Sequence, residues 1–131
     1  MNLTVLIVDD ELDVAEALAE GLESREMDVR IAISGEAALE LIQTESVDVV
    51  VLDVKMRGMG GVETLEALRS RFPTIGVIML SGHADISCAV TCMTLGAFDY
   101  LVKPVQLDEL IFRIQDAYNV HRFAPPVRES Q

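Results

Sequence analysis

The sequence predicts an α/β fold: a doubly wound five-stranded parallel sheet flanked by five helices. Short runs rich in Val, Ile and Leu alternate with longer segments of helical period, and the alternation repeats along the chain. Three of the runs are almost uninterrupted apolar, which is typical of parallel strands covered on both faces. A length of 131 residues with 50% apolar content fits a single domain with one buried core.

The apolar runs define the predicted strands. The second run alternates, with Val29, Ile31 and Ile33 on one side, so we place it at an edge of the sheet. The predicted strands span Thr4 to Val8, Val29 to Ile33, Val47 to Leu52, Gly76 to Leu80, and Tyr100 to Val102.

The segments between the strands have the spacing of helices that bury one face. Ser34 and Asp85 are candidate N-caps of the second and fourth helices, Gly96 is a stop signal for the fourth, and Pro73 closes the third. The predicted inner faces consist of Val14, Leu18 and Leu22; Ala38, Leu41 and Ile42; Leu65 and Leu68; and, in a fifth helix from Leu107 to about Val120, Leu110, Ile111 and Ile114.

The helical pattern ends at His121. The residues beyond it include Pro125 and Pro126 and show no period. We therefore interpret residues 1–121 as the domain and residues 122–131 as a tail or the start of a linker.

Composition excludes several classes of function. A net charge of −12 argues against direct nucleic-acid contact, which needs clustered Lys and Arg. The apolar run from Leu3 to Val8 is too short to span a membrane and meets acidic residues at once, so we expect a cytoplasmic protein without membrane contact. Cys88 and Cys92 lie four residues apart in a predicted helix, and we interpret them as small buried or half-buried side chains rather than a metal site with His83.

Polar residues follow four of the five predicted strands. Asp9, Asp10 and Glu11 come after the first strand and Asp53 after the third; Ser81 with Gly82 follows the fourth, and Lys103 with Pro104 follows the fifth. Parallel strands linked by right-handed crossovers end at one edge of the sheet, where such folds bind ligands. We therefore expect these side chains to meet.

Three carboxylates at one edge repel each other by about 4 kcal/mol per close pair at an effective dielectric constant near 20. Lys103 supplies one positive charge, and a hard divalent cation such as Mg²⁺ would supply the rest. A phosphoryl group on Asp53 would then meet the metal, Lys103 and the Ser81 hydroxyl, which is the charge neutralisation that phosphoryl transfer requires. Each residue alone also has a plain structural explanation, as a helix-start charge, a loop aspartate or a cap.

These residues resemble the motifs of response-regulator receiver domains of two-component signalling. The similarity covers about residues 3–121, and Ser81 to Asp85 with Asp99 to Pro104 further resembles receivers attached to enhancer-binding transcription regulators. The motifs, in the family's order and approximate spacing, are Asp9-Asp10, Asp53 with Met56 and Gly61, Ser81-Gly82, Gly96-Ala97 with Asp99-Tyr100, and Lys103-Pro104.

The resemblance implies a sheet of strand order 2-1-3-4-5 and a switch that depends on phosphorylation and on Mg²⁺ or Mn²⁺. Asp53 would accept the phosphoryl group from a sensor histidine kinase, a phosphotransfer protein or a small phosphodonor. Asp10 would hold the metal directly and Asp9 mainly through water, with the main-chain carbonyl of Lys55 as a further ligand. Such a domain catalyses only its own phosphorylation and dephosphorylation, so we do not class it as an enzyme.

The resemblance also implies how the signal leaves the site. Lys103 would contact the acyl phosphate, Ser81 would move toward it, and Tyr100 would turn inward into the vacated space. The surface of the fourth helix, fifth strand and fifth helix would then change and control an output domain or downstream protein. This same surface is one through which two copies of such a domain can pair.

The sequence departs from the family pattern at one position and leaves two others open. Arg57 stands where a proline is common, so we expect a less rigid loop after Asp53. Lys55 and His83 occupy positions that flank the phosphorylation site in the family, and we predict that they tune the survival of the acyl phosphate; two solvated side chains are the alternative. The family pattern also favours a cis bond before Pro104.

Three other functions share parts of this pattern. A phosphatase of the haloacid dehalogenase type needs a second Asp two residues after its nucleophile, where this chain has Lys55. A flavodoxin-like cofactor binder needs a Ser/Thr/Gly-rich loop after the first strand, whereas Asp9 to Glu11 would repel a phosphate. A receiver-shaped interaction module that is never phosphorylated remains the main alternative.

Overall fold

A computed structural model describes residues 2–123, in which strands and helices alternate regularly. No helix in this region combines the length and the apolar content needed to cross a membrane. The elements are β1 (Thr4–Val8), α1 (Leu12–Glu23), β2 (Asp28–Ala32), α2 (Gly35–Thr44), β3 (Val49–Asp53), α3 (Gly61–Arg71), β4 (Gly76–Ser81), α4 (Ile86–Thr94), β5 (Asp99–Val102) and α5 (Leu107–His121).

The five strands form one parallel sheet in the order β2-β1-β3-β4-β5. This confirms the predicted fold class and strand order. The three nearly continuous apolar runs are the interior strands β1, β3 and β4, and the alternating run is the edge strand β2. Each strand ends at the same edge of the sheet, which places the predicted polar residues within reach of one another.

Alternate side chains of the interior strands build two separate cores. In β1, Val5 and Ile7 face α1 and α5, whereas Leu6 and Val8 face α2, α3 and α4. The same alternation holds for β3 and β4, and all of these side chains are buried. Burial of apolar surface stabilises a fold by about 25 cal/mol per Å². The two cores therefore stabilise the sheet on both of its faces.

The predicted N-caps of α2 and α4 and the predicted stop signal of α4 are confirmed. Ser34 Oγ accepts a hydrogen bond from the Ala37 N–H at 3.0 Å, and the Asp85 carboxylate accepts one from the Cys88 N–H at 3.1 Å. Gly96 has a positive φ of 100°, which a glycine adopts without strain, and it lies just beyond α4.

The predicted inner face of α1 is partly wrong. Val14 is 40% exposed, and the buried residues of α1 are Ala15, Ala19 and Leu22. Two alanines bring the helix close to the sheet, so the larger Val14 and the half-buried Leu18 are displaced toward its flank.

The bounds of β2 are also corrected. Pairing with β1 ends where Val8 lies opposite Ala32, so Ile33 falls outside the strand and is exposed. The alternating apolar pattern predicts a strand that runs to Ile33, one residue beyond the last position at which β2 pairs with β1.

Smaller predictions are confirmed. Cys92 is buried and Cys88 half-buried, and both are free thiols. The Lys103–Pro104 peptide bond is cis. Most of the predicted tail, including Pro125 and Pro126, lies outside the described residues.

Candidate functional site

The carboxyl edge of the sheet brings the predicted acidic residues together. Asp9 follows β1 directly and is buried; Asp53 is the last residue of β3 and is also buried. Together with Asp10, they place one carboxylate oxygen each within 4.8 Å of one another. This cluster of three Asp has the donor set and the spacing to bind a metal ion.

Lys103 is a cation that contacts two of these three carboxylates. Its Nζ lies 3.4 Å from Asp9 Oδ2 and 3.7 Å from Asp53 Oδ1. The pKa of the Asp53 carboxyl is raised above its usual value because the side chain is buried; Lys103 opposes this shift and Asp9 adds to it. Lys103 therefore offsets only part of the negative charge of Asp9 and Asp53.

Asp10 has a different partner from the other two carboxylates. Its Oδ2 accepts hydrogen bonds from the backbone N–H of Arg57 at 3.0 Å and from the Arg57 Nε at 3.3 Å. These contacts, led by the backbone hydrogen bond, lower the pKa of Asp10 below its usual value. Asp10 is thus held as a carboxylate that points at the loop after β3.

Ser81 ends β4, and its hydroxyl is engaged within the chain. Ser81 Oγ donates to the His83 carbonyl at 2.8 Å and accepts from the His83 N–H at 3.1 Å. The hydroxyl therefore binds the start of the β4–α4 loop, and a move toward Asp53 would require both bonds to open.

An open cavity of about 620 Å³ lies between the start of the β3–α3 loop, at Val54 and Lys55, and the start of α4. Lys55, Ser81, His83 and Tyr100 contribute to its lining. Both Lys55 and His83 are exposed. Four residues that the sequence analysis assigned tuning or switch roles thus line one cavity.

Tyr100 lies on β5 with its hydroxyl buried, and this hydroxyl has no hydrogen-bond partner among the described residues. Burial raises the pKa of Tyr100, and its neighbours include Ser81 and Cys88. The hydroxyl therefore points inward, next to α4.

Gly61 fixes the backbone at the end of β3. A Cβ at this position would lie 2.4 Å from the Asp53 carbonyl oxygen and 2.7 Å from Val54 Cα. The Gly61 N–H also donates to the Val54 carbonyl at 3.0 Å. The first turn of α3 can approach the acidic residue this closely only because position 61 has no side chain.

Sequence reasoning missed the contact between Arg57 and Asp10. The sequence shows only an arginine where a proline is common, and the loop conformation that directs Arg57 toward Asp10 has no periodic pattern in the sequence. A proline could not donate the backbone hydrogen bond that Asp10 accepts.

Residues 5–115 match the response regulator receiver domain. The chain belongs to this family. The finding confirms the resemblance inferred from the motifs and identifies the domain as a signalling module.

Relatives and solved structures agree with this assignment. A putative NtrX-like response regulator of Rickettsia typhi is 36% identical over 121 residues, which is 91% of this chain and 26% of that protein. The receiver domain of NtrX from Brucella abortus has a TM-score of 0.83 and 31% identity, covering 88% of this chain and 98% of that domain. A response regulator from Burkholderia pseudomallei, solved with a phosphorylated aspartic acid, calcium ion and citrate, has a TM-score of 0.82 and 29% identity, covering 90% of this chain and 69% of that one.

This receiver domain spans about a quarter of the length of the curated relatives it matches. Those relatives include the regulatory protein AtoC of Escherichia coli, at 34% identity over 124 residues. The similarity therefore concerns the receiver portion of longer regulators.

Proposed function

We propose that this receiver domain is a switch that accepts a phosphoryl group on Asp53 in a reaction that depends on Mg²⁺ or Mn²⁺. The observation that carries the proposal is the grouping of three carboxylates within 4.8 Å with Lys103 in contact with two of them. The relative from Burkholderia pseudomallei, with its phosphorylated aspartic acid, supports the same chemistry.

The donor set fits a hard divalent cation. Carboxylate oxygens and a main-chain carbonyl are the ligands that Mg²⁺ prefers, with water and a phosphate oxygen completing its coordination. Asp10 and Asp53 would hold the ion directly, Asp9 mainly through water, and the carbonyl of Lys55 would be a further ligand. When bound, the ion neutralises charge on the transferred group and on the carboxylates that surround it.

Asp53 acts as the nucleophile in this proposal. One of its carboxylate oxygens forms a bond to phosphorus while the P–N bond of a donor phosphohistidine breaks, and the electron pair leaves with the imidazole. Lys103 already lies 3.7 Å from Asp53 Oδ1, so its ammonium is placed to pair with the new phosphoryl charge. The donor is a sensor histidine kinase, a phosphotransfer protein or a small phosphodonor.

Ser81 and Tyr100 connect the site to the output surface. Ser81 would exchange its two bonds with His83 for one with the phosphoryl group, which frees the start of the β4–α4 loop. Tyr100, whose hydroxyl is buried beside Ser81 and α4, would then be held inward. The phosphoryl charge thus biases a local two-state element.

The output surface consists of α4, β5 and α5. It carries exposed apolar residues, among them Ile86, which is 81% exposed, and Val90, which is 60% exposed. An output domain or downstream protein would bind there, or a second copy of the chain. We take residues 1–121 as the domain that performs this function.

Lys55 and His83 would tune the lifetime of the acyl phosphate. Both line the cavity next to Val54, the residue that follows Asp53, and there they would screen or admit the attacking water. Exchanging both for alanine should change the rate of dephosphorylation severalfold; an unchanged rate, measured by loss of the phosphorylated mass, would show that they are only solvated side chains.

The test of the function is covalent labelling by a small donor. The protein is incubated with acetyl phosphate, with and without Mg²⁺, and its intact mass is measured; Asp53→Asn is the matched variant. We expect a gain of one phosphoryl group that requires both Mg²⁺ and Asp53. No gain with the wild-type protein would instead indicate an interaction module that is never phosphorylated.

A further inference from the structure

The loop after β3 gives Asp10 a partner that the phosphorylation chemistry does not require. The backbone N–H and the Nε of Arg57 both donate to the same atom, Asp10 Oδ2, at 3.0 and 3.3 Å. The Arg57 side chain is 89% exposed, whereas that of Asp10 is 17% exposed. One oxygen of a candidate metal ligand is therefore already occupied by a cation that reaches in from solvent.

We propose that Arg57 competes with the divalent cation for Asp10 and thereby lowers the metal affinity of the site. This inference rests on the proposed function, because it assumes that Asp10 is a metal ligand. A guanidinium 3.3 Å from Asp10 Oδ2 neutralises part of the charge of the carboxylate that would hold the ion, and it also repels the ion itself. A metal ion that binds Asp10 must either displace the guanidinium or coordinate a carboxylate whose charge the guanidinium partly neutralises.

The two donors of Arg57, the backbone N–H and the guanidinium, differ in their effect on a metal ion. The backbone N–H belongs to any residue except proline and holds Asp10 in place without adding a net charge. The guanidinium is the part that repels a metal ion, and Asp10 is its only carboxylate partner within ion-pair distance in residues 2–123. Its position near the cluster is thus due to Asp10.

The exposure of Arg57 sets the size of the effect. Exposed ion pairs are weak and screened by salt, so the guanidinium hinders metal binding without blocking it. The expected consequence is a change of a few fold in the dissociation constant for Mg²⁺.

The test is a Mg²⁺ titration of the whole chain at low ionic strength, followed by the backbone amide NMR shifts of residues 9, 10 and 53. Arg57→Ala should bind Mg²⁺ about two- to five-fold more tightly than the wild-type protein. Arg57→Lys keeps the charge and should stay close to wild type. Arg30→Ala, which removes an arginine paired with Glu45 away from the cluster, is the matched control and should not change the affinity.

The salt dependence of Mg²⁺ binding provides a second test, because a purely structural role of Arg57 would not depend on salt. At about 0.5 M KCl the difference between Arg57→Ala and wild type should shrink, because the repulsion is screened. Equal or weaker Mg²⁺ binding by Arg57→Ala at low salt would overturn the inference and leave the proposed function intact. Absence of saturable Mg²⁺ binding by the wild-type protein would overturn both.

Discussion

Replacing Asp53 by Asn should stabilise the metal-free protein by about 2 kcal/mol at neutral pH, because it removes one negative charge at nearly constant volume. Burial is the largest cause of the raised pKa of Asp53, and Asp9, whose carboxylate oxygen lies within 4.8 Å, adds a repulsion of about 3–4 kcal/mol at an effective dielectric constant of 20. The variant loses this repulsion and the cost of burying the charge, which is on the order of 3 kcal/mol. It also loses one attraction of about 4–5 kcal/mol, between Asp53 Oδ1 and Lys103 Nζ at 3.7 Å.

The advantage of Asp53→Asn should depend on pH in a defined direction. Burial raises the pKa of Asp53 above 3.8, so the folded protein holds this proton more tightly than the unfolded chain does. The wild-type protein therefore loses stability as the pH rises from 3.8 to the raised pKa of Asp53. The advantage of the variant is complete at neutral pH and declines as the pH falls through that range.

The assay is thermal and urea unfolding in EDTA at low salt. Asp53→Asn should raise the midpoint of thermal unfolding by about 7 °C, the shift expected from 2 kcal/mol in a domain of this size. Asp28→Asn, at the exposed opposite end of β2, is the control and should change stability by less than about 0.5 kcal/mol. A midpoint for Asp53→Asn equal to or below that of wild type would refute the electrostatic reasoning.

Two further variants test the construction of the site. Gly61→Ala should destabilise the fold by about 3 kcal/mol and abolish phosphorylation, because its Cβ would lie 2.4 Å from the Asp53 carbonyl oxygen; Gly60→Ala, with nothing within 4 Å of its Cβ, should fold and be labelled normally in the intact-mass assay. Lys103→Met should lower stability by at least about 2 kcal/mol in urea unfolding in EDTA, because it leaves Asp9 and Asp53 without their counter-charge. A wild-type midpoint for Lys103→Met would contradict this role.

The fold could be predicted because the interior strands carry an unambiguous pattern. Strands buried on both faces are nearly continuously apolar, and β1, β3 and β4 fit this description apart from polar residues at their ends. Helix faces were predicted less well where small residues decide the packing. Val14 fits a helical stripe as well as Ala15 does, and only the close approach of α1 to the sheet selects the alanine.

The positions of the site residues were predictable for a similar reason. Parallel strands end at one edge of the sheet, so residues at the strand ends lie close together regardless of the conformation of the loops. Asp9, Asp53 and Lys103 follow this rule. Contacts that depend on loop geometry were not predictable. Two examples are the hydrogen bonds of Ser81 to the His83 backbone and of Arg57 to Asp10. Both depend on the backbone conformation of a loop, which the apolar pattern does not predict.

The most direct test of the central claim identifies the phosphorylated residue chemically. After reaction with acetyl phosphate and Mg²⁺, the protein is reduced with borohydride, which converts an aspartyl phosphate to homoserine, and the peptides are sequenced by mass spectrometry. We predict homoserine at position 53 alone, and none when Mg²⁺ is omitted. Homoserine at position 9 or 10, or at no position, would contradict the claim that Asp53 is the phosphoryl acceptor.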